Sequence, residues 1–176
     1  MIALSKDGLI AIAPVGNEVL YRNDLPKPQL LACIKRVKEA LPDIPVGYVD
    51  AYYEFTQHPD IVDASDVVLS TCNPFWEGCP HEYSLNHIQQ MFGQATDAAR
   101  GKKVIITETG WPSKGENFEG AVTSKENAIK YFISSQVWAV KEDIEMSYFS
   151  SFDESRKLAM KILSVPIGSY GLKMKI

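Results

Sequence analysis

The sequence predicts an α/β fold built on a parallel sheet, and three observations predict it. Short apolar runs alternate with amphipathic stretches along the whole chain. The runs are continuously apolar rather than alternating, as in strands covered on both faces. Polar residues gather just after the runs: Gly16-Asn17-Glu18, Asp50, Asn73-Pro-Phe-Trp76, Glu108-Thr-Gly-Trp111 and Asp153-Glu154. In a parallel barrel those positions share the carboxyl-end rim, where catalytic groups collect. At this level a doubly wound open sheet satisfies the pattern equally.

The first strand is expected over 9–15, a run too short for a globular helix. A helix follows over 28–41, with Leu30, Ile34, Val37 and Leu41 on one face and Pro28 suited to a first turn. A second strand is expected over 44–49 and a third over 67–71. A helix over about 84–100 carries Leu85, Ile88, Met91, Phe92 and Ala95 at burial spacing, with Gly101 as its stop. The fourth strand spans 103–107. Thr123-Ser-Lys-Glu126 reads as a capping box opening the next helix. A fifth strand runs from about Glu145 to Phe152.

Composition narrows the function. The chain is 45% hydrophobic and 23% charged, ordinary values for a globular domain. Its net charge is −4 with no Lys/Arg cluster, so nucleic acid is not an expected partner. No apolar run approaches the ~20 residues that cross a bilayer, and the first residues do not form a signal peptide. Cys33, Cys72 and Cys79 are not a disulfide framework, although Cys72 and Cys79 flank a short loop and could pair. His58, His81 and His87 lack metal-ligand spacing, and no phosphate-binding loop is present, so neither metal nor cofactor is expected.

Two carboxylates and several aromatic rings on one rim suit glycosidic bond cleavage. One carboxylic acid protonates the leaving oxygen while the other attacks the anomeric carbon or activates water. Aromatic faces can pack on the apolar faces of sugar rings. Taken singly, each feature has a plainer reading: a strand-end glutamate is more often solvated or paired, and a loop tryptophan is more often an anchor.

Taken together, the motifs resemble glycoside hydrolase family 17, the β-1,3-glucanases and related β-glucan transferases. Val15-Gly-Asn-Glu-Val-Leu20 is similar to that family's acid/base motif, and Thr107-Glu-Thr-Gly-Trp-Pro-Ser113 to its nucleophile motif. Asn73-Pro-Phe-Trp76 and Phe152-Asp-Glu154 resemble two further rim segments. The resemblance implies a (β/α)8 barrel and a retaining mechanism, with Glu108 as nucleophile and Glu18 as acid/base. It implies that Asn17 positions the nucleophile or holds a sugar hydroxyl. Asn73, Phe75, Trp76 and Trp111 would line sugar subsites, and Glu154 and Lys157 would lie near the catalytic pair. The substrate would be a β-1,3-glucan or oligosaccharide, acted on outside the cell or in its wall. A glucanosyltransferase, or a fragment that binds glucan without cleaving it, is the alternative.

The motif order implies that the five strands are strands four to eight of a barrel, with strands one to three not represented. Residues 1–155 would then be the C-terminal part of the catalytic barrel. Residues 156–176 depart from the family: Arg156 stands where a Trp is usual, and nothing from Leu158 to Ile176 matches. A shifted reading frame or a misplaced exon boundary is the expectation for that tail.

Overall fold

The computed structural model describes residues 7–149. One sheet holds five strands: β1 (Ala13–Asn17), β2 (Val46–Ala51), β3 (Val67–Thr71), β4 (Val104–Thr109) and β5 (Met146–Tyr148). The helices are α1 (Lys27–Ala40), α2 (Glu54–Gln57), α3 (Pro59–Ala64), α4 (Ser84–Ala98) and α5 (Lys125–Lys141). Two 3-10 turns, Pro74–Glu77 and His81–Tyr83, precede α4.

Every neighbouring pair of strands is parallel, and the spatial order is the chain order, β1-β2-β3-β4-β5. A doubly wound sheet reverses its order at a switch point; a barrel advances steadily in one direction. The strand order therefore removes the ambiguity left by the sequence pattern and favours the barrel layout.

The helices bury one face of the sheet. Ala13, Val46, Tyr48 and Val68 pack under Leu30 and Ile34 of α1 and Ile61 and Val62 of α3. Ile106 packs under Ile88 and Met91 of α4 and Tyr131 of α5. Each fully buried Leu or Ile contributes roughly 1.5–3 kcal/mol, so Leu30 and Ile34 suffice to dock α1. The opposite face carries a smaller cluster, Val49, Val67, Leu69 and Ile105, with Ile12 packed against it.

Expected and observed elements agree in kind but differ at the ends. β1 starts at Ala13 rather than residue 9, because pairing with β2 begins at Ala13↔Val46, and Leu9 is 70% exposed. β1, β2 and β4 all run on past their apolar runs into the polar rim. The cap of α5 is Ser124, whose Oγ accepts from the Asn127 amide at 3.0 Å. The Thr123 hydroxyl is already committed to the Gly115 carbonyl at 2.9 Å, which shifts the cap by one residue. α2 and α3 went unpredicted because four and six residues carry no readable helical period.

All three cysteines are free, so Cys72 and Cys79 do not pair. Burial pushes the Cys72 thiol up to about 12, which leaves it inert. Glu154, Lys157 and the tail 156–176 lie outside the described residues.

Candidate active site

Of three breaks in strand register among the described residues, two shape the cavity at the rim. Between β1 and β2 the pairing slips between Val15 and Asn17, around Gly16. Gly16 has φ +73°, and a Cβ there would stand 2.8 Å from Val19 Cγ2, so only glycine fits. Between β3 and β4 the pairing slips again, from Ser70↔Ile106 to Thr71↔Glu108. Successive residues of a regular strand face opposite ways. Here the slips let adjacent residues, Gly16 with Asn17 and Thr107 with Glu108, line the same cavity of ≈ 530 Å³. That cavity runs along the inner face of the sheet over Val49, Leu69 and Ile105.

Glu18 follows β1 directly, in the left-handed region at φ 53°. Its amide donates to the Val49 carbonyl at 2.8 Å, and its own carbonyl accepts from the Arg22 amide at 2.9 Å. The side chain is 18% exposed, with Arg22 Nη1 at 3.6 Å from Oε2. Thr71 Oγ1 donates to Oε1 at 3.4 Å. Desolvation holds the carboxyl above its ordinary range, reinforced by the charges of Glu108 and Asp50. Arg22 and Thr71 pull the other way without prevailing. A glutamate that keeps its proton above the usual carboxylate range is suited to general acid work.

Glu108 sits inside β4, and its backbone carbonyl accepts from the Cys72 amide at 2.9 Å. Asn73 Nδ2 donates to Glu108 Oε1 at 3.4 Å. Thr71 and Asn73, two residues apart at the end of β3, thus each contact one of the two glutamates. Asn17 lines the cavity, and its backbone carbonyl accepts from Arg22 Nη2 at 2.5 Å. Asn73 thus contributes a side-chain amide to the nucleophile candidate, and Asn17, expected to position that residue or to hold a sugar hydroxyl, lines the same cavity.

The aromatic residues divide. Trp76 is 46% exposed and stands edge-on against Phe75 with ring centres 5.0 Å apart. Phe75 is 1% exposed and Trp111 is 5% exposed, so neither ring offers a face to a sugar. Both were expected to line subsites; here Phe75 packs against Trp76 and Trp111 packs against Phe75. Trp111 is anchored by Nε1, which donates to the Val122 carbonyl at 3.0 Å, and packs between Phe75 and Tyr131.

Sequence reasoning missed several rim residues. Tyr21, Tyr52 and Tyr53 form an edge-to-face cluster with centres 6.4 and 5.2 Å apart, beside the Glu18 turn. Tyr52 reaches Glu77 at 3.4 Å, and Glu77 pairs with His87 at 2.6 Å. Tyr52 and Tyr53 follow a strand end and could have been flagged on that ground. Arg22 gave no such signal, since it is four residues beyond Glu18. Among the described residues no group of His, Cys, Asp or Glu could hold a metal ion. No described helix is long and apolar enough to cross a membrane.

A family model described as "BtgE/BtgC glycoside hydrolase domain" matches residues 2–163. The glucan 1,3-beta-glucosidase of Saccharomyces cerevisiae is 31% identical over 86% of this chain and 55% of its own length. That of Schizosaccharomyces pombe is 29% identical over 81% and 49%. Among solved structures, the glycoside hydrolase family 17 beta-1,3-glucanosyltransferase from Rhizomucor miehei superposes with a TM-score of 0.76. It is 38% identical and covers 81% of this chain and 54% of that one. An active-site mutant of the R. miehei beta-1,3-glucanosyltransferase in complex with laminaritriose gives the same TM-score at 37% identity. The chain spans about half the length of the curated relatives it matches.

Proposed function

The chain belongs to the BtgE/BtgC glycoside hydrolase domain family, within glycoside hydrolase family 17, and from that premise we propose that its rim cleaves β-1,3-glucosidic bonds with retention. Glu108 attacks the anomeric carbon while Glu18 gives its proton to the departing glycosidic oxygen, leaving a glycosyl ester on Glu108. Glu18, now a carboxylate beside Arg22 and Thr71, takes a proton from water, which attacks the ester and frees the sugar and Glu108. The observation that carries this reading is the difference between the two carboxyls. Glu18 is desolvated and its carboxyl is held above the ordinary range, and Glu108 lines the open cavity with an amide donor on its oxygen.

Trp76 is the ring placed to stack on a glucosyl unit. A linear β-1,3-glucan, or an oligosaccharide such as the laminaritriose of the R. miehei complex, is the proposed substrate. A wall or extracellular setting follows from that substrate. We place β1 to β5 as strands four to eight of the barrel, because the acid/base candidate follows the first described strand.

A second reading keeps the residues and changes the acceptor. If a sugar hydroxyl intercepts the glycosyl ester before water does, the product is a lengthened glucan. The solved beta-1,3-glucanosyltransferase, at 38% identity, favours considering it. The test is reducing-sugar release from laminarin, with Glu108→Gln as control. Release that disappears in the variant supports the assignment, and products longer than the starting oligosaccharide select the transferase. No release from folded protein overturns it.

A further inference from the structure

Asp50 lies near the end of β2 and is fully buried. Its carboxylate accepts four hydrogen bonds, all from neutral donors. Oδ1 accepts from the Ala51 amide at 2.8 Å. Oδ2 accepts from the Leu20 amide at 3.2 Å, from the Tyr21 amide at 3.3 Å and from the Tyr48 hydroxyl. Burying a carboxylate against dipoles alone is costly unless the hydrogen bonds are extensive. A neutral side chain would have served simple packing at this position.

What the carboxylate holds is the turn that begins at Glu18. The Leu20 amide also donates to the Tyr48 hydroxyl at 2.8 Å, and the Glu18 amide donates to the carbonyl of Val49, the residue before Asp50. Three amides of the turn are therefore anchored on the end of β2. The turn needs an anchor, because Glu18 has a left-handed backbone that a residue with a Cβ rarely adopts. We propose that Asp50 is the positioning residue of the acid/base: its buried carboxylate fixes the turn through the Leu20 and Tyr21 amides and so sets where the Glu18 carboxyl meets the glycosidic oxygen. The inference rests on the reading of Glu18 as acid/base. The electrostatics agree in direction: Asp50 is close enough to raise the Glu18 carboxyl, while burial raises the Asp50 carboxyl itself against the hydrogen bonds that lower it. The charged and titratable groups around the pair are Glu108 and Arg22 at Glu18, and Tyr48, Tyr53 and His58 at Asp50.

The experiment compares Asp50→Asn and the milder Tyr48→Phe with the unmodified chain. Amide hydrogen exchange and the titration of the Glu18 carboxyl carbon by NMR are followed together with cleavage of two substrates. In Asp50→Asn, exchange at Leu20 and Tyr21 should speed up at least about tenfold relative to amides of β3, and the Glu18 midpoint should fall. Cleavage of laminarin should lose about 10- to 100-fold in kcat with KM changed less than about twofold, a share of what a general acid supplies. The kcat/KM of a 2,4-dinitrophenyl β-glucoside, which reports only the first step and whose leaving group needs no proton, should lose less than about threefold, against about 10- to 100-fold for laminarin. Tyr48→Phe should move each quantity the same way by less. Unchanged exchange at Leu20 and Tyr21 together with an unchanged Glu18 midpoint overturns the proposal, whether or not turnover is measurable. So does an equal loss on both substrates, because that is a general structural defect. Glu18→Gln separates the two levels: if it lowers kcat/KM equally for both substrates, the acid/base reading fails, while the exchange result still judges whether Asp50 holds the turn.

Discussion

Asn73 Nδ2 stands 3.4 Å from Glu108 Oε1, although the two residues come from different strands and are 35 positions apart in sequence. The contact depends on the register slip between Ser70 and Thr71, which pairs Thr71 with Glu108 instead of Thr107 and brings the glutamate level with the end of β3. An amide donor on one carboxylate oxygen orients the other toward the reacting carbon.

Asn73→Ala should therefore slow the chemical step more than it weakens binding. A hydrogen bond to a charged group is worth roughly 1.5–3 kcal/mol, so a fall in kcat of about 10- to 100-fold is expected with KM within about threefold. Steady-state kinetics on laminarin check this. A change confined to KM would mean that Asn73 touches only the substrate.

Glu18 makes a prediction about stability. Its folded-state pKa is raised, so between the unfolded value and the folded one the native state binds more protons than the unfolded chain. Stability from this group is present at low pH and is lost as pH rises through that window. Glu18→Gln removes the desolvated charge and should raise Tm at pH 7 by about 2–4 °C, the shift that ~1 kcal/mol produces in a domain of this size. The gain should vanish below the ordinary glutamate range, where the native side chain is already neutral. Calorimetry at pH 7 and at about pH 3 measures both. Destabilisation at pH 7 would show that the contacts of Glu18 with Arg22 and Thr71 outweigh its burial.

The sequence pointed to residues of this candidate site for physical reasons that differ by residue. Glu18 and Glu108 stood out because each follows or ends an apolar strand, and parallel strands bring such ends together. Trp76 followed by the same logic. The burial of Phe75 and Trp111 was not legible, because motif position marks a ring as near the site but does not say which way it faces. Burial decides that, and Trp111 turns its indole nitrogen to the Val122 carbonyl instead of the cleft. The shared attachment of Thr71 and Asn73 could not be read, since it depends on a one-residue slip that an apolar pattern does not encode. The strand order lay equally beyond the pattern, because barrels and doubly wound sheets have the same alternation along the chain.

Trp76 tests whether the rim holds sugar through an aromatic face. Its ring is 46% exposed, with Phe75 behind it and Phe118 at 6.2 Å between centres. Trp76→Ala should raise KM for laminari-oligosaccharides about fivefold to twelvefold, the effect of losing roughly 1–1.5 kcal/mol of ring packing. Trp76→Phe should recover most of it. Fluorescence titration of the Glu108→Gln variant with laminaritriose gives the binding term directly. An unchanged Kd in the alanine variant would remove Trp76 from the site.

Gly110, two residues after Glu108, carries the last prediction. A Cβ built there would lie 1.8 Å from the Phe149 carbonyl oxygen, a backbone atom that cannot swing aside. The same Phe149 donates its amide to the Thr109 carbonyl at 2.7 Å, so β5 is joined to β4 at the point where the methyl would intrude. Gly110→Ala must either push β5 away or bend the end of β4, which carries Glu108. Overpacking of this kind costs about 2 kcal/mol or more, which corresponds to a fall in Tm of at least about 4 °C. Turnover should fall further than stability alone requires, since a displacement of about 0.5 Å at the nucleophile already exceeds what a catalytic arrangement tolerates. Thermal unfolding and laminarin kinetics, both measured well below Tm, distinguish the two losses. A variant with native Tm would show that the β4–β5 junction is looser than its hydrogen bonding implies.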